Sequence, residues 1–358
     1  MSTVTSTVTT CPSLQASLNS YFETCQIAGF GSPVLDFLNS DVNRSGIQQL
    51  VNPTSNKKRT VQLVYDQPIW VDEVATVSDC DKICVASTDR GDLYADFSID
   101  CTDGIYLEGR IKTSDWNESC RDNNEVIMSR VMKLVAGVAD GVAQKTAQEL
   151  PPLVGAYSSD TAASGLTINV DDFLEIATRQ ASSTNIDPSA FQETDLALTQ
   201  TGYCNGQFIS GGSQLFQYWR LMQAGCCADQ GLDALEMLRL YGRSISYDRW
   251  VSQEFGDDVS LVFQPGSVQL LTYTDTDPIL NDVGIADLDM TYRNFFEAII
   301  IDPRSGIPMD MTLKNDCGVI SIVVKATTKA VGLPLDIYPS GHPLEGVTYL
   351  NGIQVVNS

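Results

Sequence analysis

The chain of 358 residues carries 45 acidic side chains against 22 basic ones, a formal net charge of −23. A surface so acidic does not draw in nucleic acid by counterion release, while a hydrophobic share of 43% supplies a substantial core and excludes wholesale disorder. One histidine, His342, serves the whole chain, which excludes histidine-rich metal centres and any catalysis that needs two imidazoles.

The first ten residues alternate Ser, Thr and Val without a basic residue or an apolar block, so they do not read as a secretory signal. No run approaches the ~20 apolar residues that a membrane-spanning helix needs. The expectation is a soluble protein that stays where it is made, with its ten cysteines reduced. Residues 1–45 are polar, with short apolar runs such as Leu35-Asp36-Phe37-Leu38, and predict an arm with a few anchoring hydrophobes.

From residue 48 to about residue 110 the pattern turns to period two. Val61-Gln62-Leu63-Val64-Tyr65, Ile69-Trp70-Val71, Lys82-Ile83-Cys84-Val85, Leu93-Tyr94-Ala95-Asp96-Phe97 and Gly104-Ile105-Tyr106-Leu107-Glu108 predict short strands of antiparallel ribbon, separated by Asn-, Pro-, Asp- and Gly-rich turns. Lys57, Lys58 and Arg59 fall at a loop-to-strand junction and Trp70 on a strand; these four are the candidate interface residues.

Residues 122–150 give the strongest signal. Asp122 and Glu125 form a capping-box-like pair, and Pro151-Pro152 is a hard stop. Between them Ile127, Val131, Leu134, Val138 and Val142 fall on one stripe, widened by Val135, Ala139 and Ala143. Some 28 residues of helix would run to roughly 42 Å, against about 11–12 residues for an average helix. Gly137 and Gly141, each costing about 1 kcal/mol relative to alanine, mark either a bend or close approach by another chain, or simple tolerance.

Beyond Gly155 the chain reads as mixed α/β. A short helix is expected from Asp171 (Phe173, Leu174, Ile176, Ala177), then a strand at Gln207-Phe208-Ile209-Ser210. A helix capped by Ser213 and another holding Leu232, Leu235, Leu238 and Tyr241 follow. Strands resume at 245–247, 259–263 and 268–273, with Pro265-Gly266 as a turn. Residues 295–301, 308–314 and 319–327 predict an antiparallel meander, turning at Asp302-Pro303-Arg304-Ser305-Gly306 and Asn315-Asp316-Cys317-Gly318.

No constellation specifies chemistry. There is no GxxxxGK[ST], no GxGxxG after a strand and no G-x-S-x-G. Gly212-Ser213 reads as a helix cap rather than a phosphate cradle, and His342, between turn residues, reads as a loop histidine. Cys80, Cys84, Cys101 and Cys120 cluster without familiar zinc spacing. Asp171-Asp172, Asp257-Asp258 and Asp275 with Asp277 sit where turns and helix starts favour aspartate. Asp275, Asp277 and Asp282 lack the spacing of an EF-hand calcium loop. The expectation is therefore no enzyme, no catalytic residue, no cofactor and no metal.

In order, a polar arm, a strand ribbon, a long helix ending in Pro and Gly and an α/β body resemble the major capsid proteins of tailed bacteriophages, the Hong Kong 97 phage fold. The stretch Ile301-Asp302-Pro303-Arg304-Ser305-Gly306-Ile307-Pro308-Met309-Asp310 looks like one found in capsid proteins of phages of Bacteroidetes-type hosts. The resemblance implies an α+β fold with the N-terminal arm at 1–45 and an extended β-hairpin loop with peripheral strands at 46–120. It places the spine helix of a peripheral domain at 121–157, an axial domain at 158–292, and a meander returning to both at 293–358. It implies a structural protein that self-assembles, as hexamers and pentamers, into the icosahedral head shell around double-stranded DNA. Partners would be separate scaffolding, portal and decoration proteins, with no sequence-specific nucleic-acid binding and no membrane. Its place would be the virion, after synthesis and assembly in the host cytoplasm. The charged helical N-terminal extension of one branch of that family is missing here. The alternatives are another virion or encapsulin-like shell protein, or an acidic carbohydrate- or calcium-binding protein.

Overall fold

The computed structural model describes residues 16, 19–20, 31–40, 43, 48–49, 60–66, 92–112, 123–154, 174–176, 207–210, 245–256, 259–275, 295–316, 318–334, 336 and 353–357. A short helix α1 (Pro33–Leu38) precedes strands β1 (Gln48–Gln49), β2 (Thr60–Asp66) and β3 (Asp92–Ser98). One 3-10 turn, Cys101–Asp103, leads into β4 (Gly104–Lys112), and α2 (Asn123–Glu149) follows. Then come β5 (Leu174–Ile176), β6 (Gln207–Ser210), β7 (Ile245–Tyr247), helix α3 (Arg249–Phe255), β8 (Val259–Phe263) and β9 (Val268–Tyr273). Strands β10 (Phe295–Ile301), β11 (Pro308–Asp316), β12 (Val319–Gly332) and β13 (Ile353–Asn357) complete the α+β order.

Three sheets result. The first is an antiparallel ribbon, β1-β2-β3. The second, which we call the central sheet, runs β10-β11-β12-β4, with β9 also paired to β12. The third is mixed, β5-β13-β8-β6-β7, with β5 parallel to β13 and β6 parallel to β7. The central and mixed sheets each draw strands from both sides of residue 293.

The meander forms as expected, and β12 runs on to Gly332 because Thr327 to Gly332 pair with β9. The β10–β11 turn keeps the left-handed residue its glycine allows, Gly306 at φ 69°. Two expectations change. Residues 174–176 form a strand rather than the helix read from Asp171, because they pair in register with Val355, Val356 and Asn357, a tertiary partner that overrides local propensity. Helix α3, capped by Asp248, was not anticipated. Strands at 69–71 and 82–85, and helices from Ser213 and around Leu232, lie outside the described residues.

The core is made by α2 lying on the central sheet. Alternation along each strand puts Phe296, Ala298 and Ile300 of β10, Met309, Met311 and Leu313 of β11, and Ile320, Ile322 and Val324 of β12 on one buried face. The cross-strand row Ala298–Met311–Val324–Leu107 runs straight across it. Over this face α2 buries the expected stripe and, beyond it, Met128, Met132, Ala136 and Ala147. Arg130, Lys133, Gln144 and Gln148 remain exposed. Each fully buried aliphatic side chain contributes about 1.5–3 kcal/mol relative to exposure.

The two helix glycines have a specific cause. A Cβ on Gly141 would lie 3.2 Å from Ile105 Cγ2, and one on Gly137 2.6 Å from Leu107 Cδ1. Gly109 of β4 reciprocates: a Cβ there would meet Leu134 Cδ1 at 3.0 Å and Arg130 Cδ at 3.1 Å. The close approach anticipated at these glycines is made by the chain's own strand β4.

Candidate assembly surface

The four interface residues read from sequence, Lys57, Lys58, Arg59 and Trp70, lie outside the described residues, as do His342, Asp171, Asp172, Asp257, Asp258, Asp277 and Asp282. Asp275 is described: its Oδ2 pairs with Lys325 Nζ at 2.6 Å, and its backbone N–H donates to Asp310 Oδ2 at 2.9 Å. Among the described residues no group of three or more His, Cys, Asp or Glu is placed to hold a metal ion. Among them, too, no helix is long and apolar enough to cross a membrane.

The surface that sequence reading missed is the outer face of the central sheet. Because successive side chains alternate, the residues between those facing α2 point the other way. Register then sets three rows: Glu108–Val323–Thr312–Glu297, Arg110–Ser321–Lys314 and Tyr106–Lys325–Asp310–Ile299, with Lys112–Val319–Asp316 at the end. Four cations (Arg110, Lys112, Lys314, Lys325) meet four carboxylates that reach solvent (Glu108, Glu297, Asp316 and Asp275, the partner of Lys325), so the exposed part of this face is neutral in a chain of net charge −23, while Asp310 and Ile299 at the far end of their row are buried. Arg110 Nε donates to Glu108 Oε1 at 2.7 Å, and Lys314 Nζ lies 3.7 Å from Asp316 Oδ2. The Glu108 hydrogen bond, and then its charge, raise the Arg110 pKa. Exposed pairs of this kind, screened by solvent, add little to stability; their effect is to remove the like-charge repulsion that two copies of so acidic a chain would otherwise meet. The signal available in sequence was that Arg110 and Lys112 continue the alternation of the strand read at 104–108.

The same face carries Tyr106, 67% exposed, and β4 ends the sheet order, so its outer edge pairs with no strand among the described residues. Glu108, Arg110 and Lys112 line this edge, the charged dressing that discourages indiscriminate strand addition.

The ribbon issues from the same edge. Strand β3 ends at Ser98, and after buried Ile99 the turn Cys101–Asp103 starts β4 directly. Asp100 N–H donates to Asp103 Oδ2 at 2.7 Å to close that turn. Lys145 of α2 pins it from below, donating from Nζ to Asp103 O at 2.8 Å and to Thr328 O, with Glu149 Oε1 at 3.1 Å. Glu149 Oε2 in turn accepts from Ala330 N–H at 2.8 Å. Lys329 Nζ donates to Ser98 O at 2.9 Å. The root of the ribbon is thus fastened to α2 and β12, while among the described residues its strands pair in register with no strand of the two larger sheets. Tyr94 on β3 is 55% exposed.

No family model matches the chain, and no curated protein matches it. Among solved structures the chain is similar to the capsid of Ralstonia phage GP4, at 10% identity and TM-score 0.44, over 86% of this chain and 88% of that one. It is similar to a chain from Microbacterium phage Oxtober96, at 11% identity and TM-score 0.44, over 93% of each chain. A third likeness is to the mature capsid of bacteriophage PhiM1, at 9% identity and TM-score 0.43, over 85% of this chain and 84% of that one.

Proposed function

We propose that the chain is the major subunit of the icosahedral head shell of a tailed bacteriophage, a structural protein whose copies assemble as hexamers and pentamers around double-stranded DNA. Two of the solved structures named above are phage capsids; the proposal stands on the chain's own layout.

The observation that carries it is the ribbon β1-β2-β3. Among the described residues it pairs with no strand of either body sheet, yet its root is fixed by Lys145, Lys329 and the turn before β4. Its own chain covers it only in part: Leu63 and Val64 of β2 are buried while Tyr94 of β3 is exposed, and a ribbon of this size needs a surface to complete that cover. A neighbouring copy provides one, and the neutral outer face of the central sheet is where two chains of net charge −23 can approach. Stable contacts of this sort bury about 1,200–2,000 Å² in total.

In this reading residues 1–45 are the arm and 46–120 the extended loop with its peripheral strands. Residues 121–157 hold the spine helix, 158–292 the axial domain and 293–358 the returning meander. Lys57, Lys58, Arg59 and Trp70 then lie on the extended loop as contact residues. Scaffolding, portal and decoration functions fall to separate proteins, assembly takes place in the host cytoplasm, and the product is the virion. A Bacteroidetes-type host rests on the turn at Asp302 alone.

Expression followed by negative-stain microscopy of the sedimented fraction tests the proposal. Closed particles of uniform diameter are expected. A protein that stays strictly monomeric, even when co-expressed with a separate scaffolding protein, would remove the shell reading.

A further inference from the structure

We infer that residues 32–40, together with Asn43, act as an internal strap that locks the central sheet and the mixed sheet to each other. The inference does not depend on the shell reading.

The chain crosses from the mixed sheet to the central sheet once within described residues, from the end of β8 at Phe263 to the start of β9 at Val268. That joint is short, with Gly266 in the left-handed region at φ 86°. Asn43, fully buried, sits on it. Its Nδ2 donates to Val268 O at 2.8 Å and to Leu38 O at 3.1 Å, its Oδ1 accepts from Gly266 N–H at 2.8 Å, and its backbone carbonyl accepts from Gln269 Nε2 at 3.0 Å. One amide side chain therefore ties the middle of the joint and its β9 end to the end of α1.

The other end of the strap is held by the mixed-sheet side. Asp248, also fully buried, caps α3 by accepting from Trp250 N–H at 2.8 Å through Oδ1. Its Oδ2 accepts from Ser32 Oγ at 2.7 Å and from Val34 N–H at 3.2 Å, so one carboxylate serves two helix starts. Between these clamps Phe37 stacks on Phe263 of β8, with ring centroids 5.7 Å apart. Val34, Leu35 and Leu38 are buried in the core shared with α2.

A third contact reaches the central sheet. Asn39 Nδ2 donates to Ser305 O in the β10–β11 turn. It occupies the space beside Gly306, where a Cβ would lie 2.5 Å from that nitrogen. A segment far upstream in sequence thus touches α3, the end of β8, the joint and the β10–β11 turn. If it were merely an anchored end of the arm, a single hydrophobic contact would suffice; satisfied polar clamps at three separate points, those at Asp248 and Asn43 fully buried, specify a fixed geometry.

Hydrogen–deuterium exchange on the full chain, wild type against Asn43→Ala, tests the strap. Peptides covering residues 259–273 and 302–307 should exchange at least about tenfold faster in the variant, while those covering residues 131–147 of α2 stay within about twofold. Unchanged exchange at the joint overturns the inference, as does equal acceleration in α2, which would mean general loss of stability. Asn39→Ala, on a half-buried side chain, serves if Asn43→Ala does not fold. Faster exchange at both 302–307 and 264–269, with α2 unmoved, supports the strap, and a change confined to 302–307 or absent contradicts it.

Discussion

Leu107 of β4 seats its Cδ1 in the notch that Gly137 leaves in α2, where a Cβ would stand 2.6 Å away. The long helix and the sheet edge that carries the ribbon are thereby keyed together, glycine against leucine on one side and Gly109 against Leu134 on the other. Gly137→Ala gains about 1 kcal/mol of helix propensity, and the atom its Cβ meets is the tip of a flexible side chain that is 40% exposed and free to swing outward. The expected outcome in urea denaturation is a midpoint equal to or above that of the wild type. In the double variant with Leu107→Ala the two effects should couple by about 0.5 kcal/mol or more. Additive behaviour would show that the key does not exist.

Gly141→Ala provides the contrast. Its Cβ would lie 3.2 Å from Ile105 Cγ2, a methyl on a stiff β-branched carbon that must give by a few tenths of an ångström and cannot rotate away. Part of the propensity gain is thereby offset, and the same denaturation should give a midpoint below that of Gly137→Ala.

Asp248 joins two helix starts, so its removal costs more than an ordinary cap. Asp248→Ala strands the Ser32 hydroxyl and the N–H groups of Val34 and Trp250, and a loss of about 2–4 kcal/mol is expected in equilibrium unfolding. Asp248→Asn, which keeps an acceptor, should lose less. A single-cap loss of about 1 kcal/mol for the alanine variant would contradict the double role.

Asp36, on the solvent side of α1, titrates abnormally. Desolvation by the surrounding protein first, then the negative charges of Asp302 and Asp248, push its pKa from 3.8 up to about 6, against a lowering by Arg304. The folded chain therefore holds this proton more tightly than the unfolded one, and Asp36 favours folding most when protonated. Stability contributed by this group is lost as pH rises from about 4 through about 6. Asp36→Asn should raise the thermal midpoint at pH 7 and flatten its dependence between pH 4 and 6. A variant whose pH profile parallels the wild type would remove the assignment.

Lys145 fixes the root of the ribbon. Replacing it by methionine leaves the helix apolar surface intact but frees the carbonyls of Asp103 and Thr328 and the Glu149 carboxylate. Amide exchange should rise in residues 98–105 and 327–330, with the middle of α2 unaffected. No local change would mean that the ribbon root is held by packing alone.

Much of this architecture was legible in the residues. The stripe from Ile127 to Val142 and its proline stop defined α2 to within a residue at each end, because 3.6-residue periodicity over so many turns has no competing reading. Period-two runs and glycine turns placed β2, β3, β4 and β8 to β12. What escaped was set by distant partners. Leu174 to Ile176 take the extended form because β13 lies beside them, and the last five residues of β12 because β9 does. Helix α3 has seven residues, too few to show a period, although Asp248 marks its start. Ser32 with Pro33 marks the start of α1 in the same way, but the six-residue run reads only as part of the arm, and nothing local said that Asp248 would close on it. The neutral sheet face needed register, which no single strand contains.

High-resolution imaging of the assembled particle tests the central claim most directly. The ribbon strands at 60–66 and 92–98 should rest on an adjacent subunit, burying Tyr94 and Tyr106 of the outer surface against it. A particle in which that ribbon touches only its own chain, with both tyrosines still facing solvent, would contradict the account.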